Sequence, residues 1–344
     1  MIALIASLGL AAIAPSELQV PDAQAAYQAA AAYSERLGGM ALVVRRGQDV
    51  VFEHYADGHG PEKPWGLASG SVGLCALTAL CAEEDGLLKL DERVCDTLTE
   101  WRGVAGKDQI TVRQLLALDS GIAANNVKVR ESTTQDHYQA ALEAQMVDLP
   151  GQSFRFGPTA WFVLGALLDR KLASEGGDVL AYMRRRLLEP LGMQVFYWDR
   201  DRSERPMLPA GAYMTAREWS KLGLLMVDHG RAGGKQVLSA ERMALLGQPS
   251  KLEPTYGLGF WLQGGLDGAQ SVEGPQGAAD LGGNGRIETR AAELPHDLLF
   301  SAGFGRQRLY AFPSQGLVVV RQGYPVDGWS DVDFLRLLLG LDKP

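Results

Sequence analysis

Positive charge is scarce in this chain of 344 residues, and none occurs before Arg36. Lys and Arg number 33 against 41 Asp and Glu, a net charge of −8, so the basic face needed for phosphate backbones or anionic lipid is missing. That excludes non-specific nucleic-acid binding. Cysteine is limited to Cys75, Cys81 and Cys95, an odd count that leaves at least one thiol unpaired. Cys75 and Cys81 lie six positions apart on one predicted helix and point to different faces, which disfavours a bridge. No C-x-x-C or Cys/His spacing marks a metal, so the thiols read as buried structural groups and no cofactor is implied. Long apolar runs are missing as well. Residues 2–14 are apolar but too few to cross a bilayer, and no later run is longer, so no integral membrane segment is expected.

The same opening ends in Ala12-Ile13-Ala14, an A-x-A cleavage pattern. Residues 1–14 are therefore expected to be an export signal, with an exported or periplasmic mature chain beginning near Pro15. The missing basic end leaves a buried N-terminal helix in a cytoplasmic protein as the alternative.

What the chain does contain is ordinary for a globular protein: 46% hydrophobic and 22% charged residues, enough to bury one large core or two moderate ones. Residues 22–37 are Ala-rich and helical, and Gly38-Gly39 ends them. The stretch "MALVVRRGQDVVFEHYADG" reads as two strands turning at 46–49. From 69 to 250 helical periodicity dominates, at 69–85, 111–118, 134–145, 160–173, 178–190, 216–229 and 239–246. The last third returns to strands at "TYGLGFWLQ", "DLLFSAGF", "QRLYAFP" and "GLVVVRQG". A Gly-rich loop at 264–290 interrupts them, and "SDVDFLRLLLGL" closes the chain as an amphipathic helix. Strands at both ends with helices between predict an α+β fold: an antiparallel sheet built from both chain ends, flanked by terminal helices, with an inserted helical lobe and a cleft between. The expected single domain covers 20–344, with one lobe from 22–66 and 250–344 and the helical lobe from 67–249.

Several stretches, in order, carry a resemblance: "EEDGLLKLDERV", "ITVRQLLALDSGI", "LPGQSFRFGPTAWFVLGALL", "EPLGM", "PAGAYMTAREWSKLGLLM" with "GGKQVLSAE", and "QRLYAFPSQGLVVVRQG". Across roughly residues 40–325 the chain resembles the serine β-lactamase, penicillin-binding protein and β-lactamase-related esterase superfamily. The resemblance implies a serine at a helix start, acylated with the help of a lysine three residues on, in an S-x-x-K motif. Here that motif falls on Ser69-Gly70-Ser71-Val72, and the lysine is a valine. The implied Y-x-N motif falls on Phe156-Gly157-Pro158, so the ring remains and the proton-relaying hydroxyl is lost. The third motif, K-T-G or H-x-G, falls on Ser301-Ala302-Gly303, where Gly303 and the N–H of Phe304 keep the oxyanion strand without its cation.

Loss of a positioned base costs on the order of 10²–10⁴-fold, while oxyanion stabilisation can leave roughly 10³–10⁴-fold over water. The expectation is a degenerate member retained to bind a small-molecule or peptide-like ligand in its cleft, or a protein partner of unspecified kind. The alternative is a working hydrolase of small esters or amides, using Ser69 with His296 or a water near Ser71 as base. A serine at a helix start most often caps it, and beside Val72 that role is preferred for Ser69. Lys63 and Lys89 lie too far along the chain to stand in for the lysine. His54, His59, His137 and His229 are expected at the surface or at caps, Trp101, Trp161 and Phe162 in the core, and Tyr256 and Trp261 along the cleft.

Overall fold

The computed structural model describes residues 23–125, 135–173, 177–266 and 291–342. The expected export segment and most of the Gly-rich loop lie outside them. Short apolar runs at both chain ends meet in one six-stranded antiparallel sheet. Its strands are β1 (Gly39–Arg46), β2 (Asp49–Tyr55), β8 (Trp261–Leu262), β9 (Leu299–Gly303), β10 (Gln307–Phe312) and β11 (Leu317–Gly323), in the order β2-β1-β11-β10-β9-β8. The first and last strands of the chain are thus neighbours, with Val43 opposite Val320.

Side chains alternate faces along a strand, and β11 shows where each face goes. Val318 packs under Gly223 of the helix Ala216–Val227 (α7), while Arg321 points the other way and donates to Ser34 of the helix Ala23–Arg36 (α1). Likewise Leu309 faces α7, and Arg308 reaches Asp331 at the start of the last helix, Asp331–Leu338 (α9). Val318 and Leu309 pack against α7, whereas the terminal-helix face holds a buried ion pair. Arg308 grips Asp331 through 2.7 Å and 3.1 Å bonds, with both side chains fully enclosed. Burial pushes the Asp331 carboxyl up, but the Arg308 charge and the Tyr310 hydroxyl hold it below its ordinary value. α7 itself starts where Thr215 Oγ1 accepts from the Glu218 N–H.

Between the sheet-forming ends lie the predicted helices, most of them shorter than expected: α2 (Val72–Glu84), α3 (Val112–Leu116), α4 (His137–Leu142), α5 (Thr159–Leu172, the expected length), α6 (Val179–Met183) and α8 (Ala240–Leu246). The expected helix at 178–190 changes into a π-helical turn at Arg184–Leu188. "TYGLGFWLQ" provides only the two-residue β8, because Tyr256 folds back to bridge Trp261. Two small sheets had no forecast. One joins β3 (Trp65–Gly66), β5 (Ala212–Met214) and β4 (Tyr197–Trp198), and the other pairs β6 (Arg231–Ala232) with β7 (Lys235–Gln236). No described helix is long and apolar enough to cross a membrane.

Candidate active site

β3 delivers the chain into a 3₁₀ turn at Ala68–Ser71, and α2 follows directly. The turn is clamped from two sides. On one side, β5 receives it at Ala212: the Leu67 N–H donates to Ala212 O at 2.9 Å, and the Ala212 N–H donates to Ser71 Oγ at 3.1 Å. On the other, β9 lies against it, with Ser301 Oγ donating to Gly70 O at 3.1 Å. The approach is close enough that a Cβ on Gly303 would sit 2.1 Å from Leu67 O and 2.7 Å from Gly70 N. Only glycine fits there.

Ala68, the residue before Ser69, has φ of +47°, a left-handed conformation that costs a non-glycine residue roughly 1–2 kcal/mol. Such strain persists where the surroundings hold it, and it collects at functional turns. Neither the Ser69 N–H nor the Phe304 N–H donates a hydrogen bond among the described residues. These are the two donors that the family resemblance assigns to the oxyanion hole, and the Gly303 contact brings their segments together.

Ser69 does not cap the helix. The cap position of α2 is Ser71, and neither hydroxyl makes a capping bond to a helix N–H, since Ser71 is engaged by Ala212 instead. Ser69 is half-buried, and no side chain among the described residues hydrogen-bonds its hydroxyl. Val72, one turn on, is 5% exposed and packs in the main apolar core. Phe156 is drawn into an aromatic cluster, 5.5 Å from Trp261 and 6.3 Å from Tyr256 between ring centroids. That cluster backs onto α2, because Phe260, the residue before Trp261, presses on Gly73 closely enough that a Cβ would lie 2.9 Å from its ring. Ser301, where the family would place a cation, is buried and spends its proton on Gly70. Phe304 stands 57% exposed at the strand end.

The other candidates lie elsewhere. His296 precedes the Leu299 end of β9, the end opposite Gly303, and its Nδ1 is 3.2 Å from Gln263 Oε1. Lys63 is exposed and donates to Gly58 O, and Lys89 is exposed beyond the end of α2. Tyr256 and Trp261 are 1% and 3% exposed, so they form core rather than an open cleft wall. Burial drives the Tyr256 hydroxyl well above its ordinary value. His137 is not a surface residue either: it is buried against Phe162, with Nδ1 3.2 Å from Asp201. Both ring nitrogens of His59 are enclosed without a hydrogen-bond partner among the described residues, and burial lowers its affinity for a proton. His54 pairs with Glu35 at the surface, and His229 is exposed. The three cysteines are buried and unpaired, with the Cys81 thiol pushed up to about 12 by burial.

One group escaped the motif reading. Asp119 follows Leu118, a second left-handed non-glycine residue at φ +58°, whose carbonyl accepts from the Arg155 N–H beside Phe156. Burial raises the Asp119 carboxyl to about 6 against the pull of Lys251, and its Oδ1 has no hydrogen-bond partner among the described residues. A local turn of this kind leaves no periodic signal, so only the Asp itself was available to notice.

Comparison with known proteins agrees with this arrangement. No curated protein matches the chain. Solved structures do: the hydrolase EstCE1, described as having promiscuous acyltransferase activity, matches with a TM-score of 0.67 and 18% identity over 93% of this chain and 98% of its own. A penicillin-binding protein homologue from Caulobacter crescentus gives 0.67 and 16% over 92% and 96%. A β-lactamase from Mycobacterium bovis gives 0.62 and 18% over 89% and 98%. At these identities they speak for a shared fold. The family model Beta-lactamase matches residues 23–321, nearly the whole of the described chain, and the protein belongs to that family.

Proposed function

We propose that this protein is a β-lactamase-family member that holds a small-molecule or peptide-like ligand at the Ser69 turn without carrying it through an acyl-enzyme cycle at an ordinary rate. The observation that carries the reading is the environment of the hydroxyl. Val72 occupies the one-turn position as a buried hydrocarbon, and no side chain among the described residues hydrogen-bonds Ser69 Oγ. A serine without a positioned base is a poor nucleophile, because its proton has nowhere to go as the new C–O bond forms.

The remaining parts suit binding. The backbone N–H groups of Ser69 and Phe304, without a hydrogen bond among the described residues, would donate to a carbonyl or carboxylate oxygen of the ligand. The test is covalent labelling of purified protein with a fluorophosphonate and with a fluorescent penicillin, beside Ser69→Ala. The expected result is no more label on the natural chain than on the variant. Stoichiometric label that disappears with Ser69→Ala would establish an active hydrolase using another base, the activity class that the name of EstCE1 describes.

A further inference from the structure

A second groove lies at the other end of β9 from Ser69. It encloses about 630 Å³, within the usual range of small-molecule sites. Met226 of α7, Met243 of α8, Leu262 of β8 and Leu299 of β9 supply apolar walls. The carboxylates of its lining are Glu253 and Asp297, beside His229, His296, Thr255 and Gln263, and no Lys or Arg lines the groove among the described residues.

The two carboxylates differ. Both oxygens of Asp297 are engaged by Ser314, from its N–H at 2.5 Å and its hydroxyl at 3.0 Å. Glu253 is 6% exposed and uses only Oε1, which accepts from the Thr255 N–H at 3.1 Å and the Thr255 hydroxyl at 2.5 Å. Glu253 forms no ion pair with the described residues, and Oε2 carries no hydrogen bond among them. A largely buried carboxylate with one oxygen uncommitted beside an apolar wall is placed to meet a cation. The rim is held in a fixed orientation. Gln263 Nε2 donates to Ala291 O at 2.7 Å and Leu294 O at 3.0 Å, so its Oε1 must accept from His296 Nδ1, which leaves His296 Nε2 outside this chain of bonds.

We propose that this groove is a ligand site, separate from the Ser69 turn, for a small lipophilic amine. Its ammonium group lies against Glu253 and its hydrocarbon body against Met226, Met243, Leu262 and Leu299. The inference does not depend on whether Ser69 is reactive.

Isothermal titration of the whole chain with three probes of one shape tests it: phenethylammonium, 2-phenylethanol and 3-phenylpropanoate at neutral pH. The amine is expected to bind about tenfold or more tighter than the alcohol, and the carboxylate weakest. Glu253→Gln should bring the amine down to the level of the alcohol. Ala244→Trp places a large ring in the groove from an exposed position on α8 and should abolish binding of both without lowering the melting temperature. Should Glu253→Gln fail to fold, Ala244→Trp and the probe ranking still decide. Equal affinity for the three probes, no amine binding, or amine binding undiminished in Ala244→Trp would overturn the proposal.

Discussion

The turn that carries Ser69 and the two positions that would move its proton are built from opposite chemistry. The turn is dense with directed polar contacts: Ala212 holds it through Leu67 and Ser71, Ser301 holds Gly70, and Gly303 permits the close approach of β9. Positions 72 and 156 are hydrocarbon and packed, one in the main core and one in the Trp261–Tyr256 cluster. The turn is strained at Ala68 and tightly held, while neither of the two positions carries a group that moves a proton. On the proposed function, the fold preserves the shape of a reactive site through contacts that have nothing to do with proton transfer. Shape and reactivity are therefore separable by mutation.

The strongest break is at the junction. Gly303→Val would drive a side chain into Leu67 O, and backbone on both sides leaves no room for relief. A loss of about 3 kcal/mol or more is expected in denaturant unfolding, or failure to fold. A melt within a degree of the natural chain would show that the junction is not tight. Next comes restoration: Val72→Lys with Phe156→Tyr should raise hydrolysis of a 4-nitrophenyl ester by about 10²-fold or more. Stability should fall, since an ammonium replaces a buried valine. A folded double variant with no gain would mean that the turn no longer has reactive geometry.

Smaller effects separate the two serines. Ser71→Ala removes the acceptor of the buried Ala212 N–H and should cost about 1–2 kcal/mol. Ser69→Ala removes a half-buried hydroxyl with no side-chain partner and should stay within about 0.5 kcal/mol. The reverse order would make Ser69 a structural residue. A pH effect is expected at Asp119, whose carboxyl is raised by burial from 3.8 to about 6 on folding. The folded state therefore holds its proton more tightly than the unfolded chain. That contribution to stability is complete below about pH 4 and is lost as pH rises through about 6. Asp119→Asn should flatten this part of the stability curve, read from urea midpoints across the window. An unchanged slope would refute the shift.

Much of this was legible in the sequence where a signal extends over many residues. The hairpin around Gly47-Gln48 and the turn before Gly316 are flanked by strands of six to eight residues, and both appear where expected. Order along the chain, with the family resemblance, assigned Ser69, Val72, Phe156 and Gly303 to the motif positions. What could not be read are features that depend on distant partners. β3, β4 and β5 have two or three residues each, too few for any period, yet they anchor the Ser69 turn. The engagement of Ser71 by a residue 141 positions away has no local trace, which is why a cap seemed the natural role for Ser69. The same holds for Tyr256, His137 and the buried Glu253, whose surroundings are assembled by the fold.

The central claim concerns whether Ser69 has a base. The most direct measurement is the steady-state hydrolysis of 4-nitrophenyl acetate by the natural chain and by Ser69→Ala, at matched concentration and across neutral pH. Equal rates are the predicted result. A natural chain turning over the ester hundreds of times faster than the variant would contradict the account.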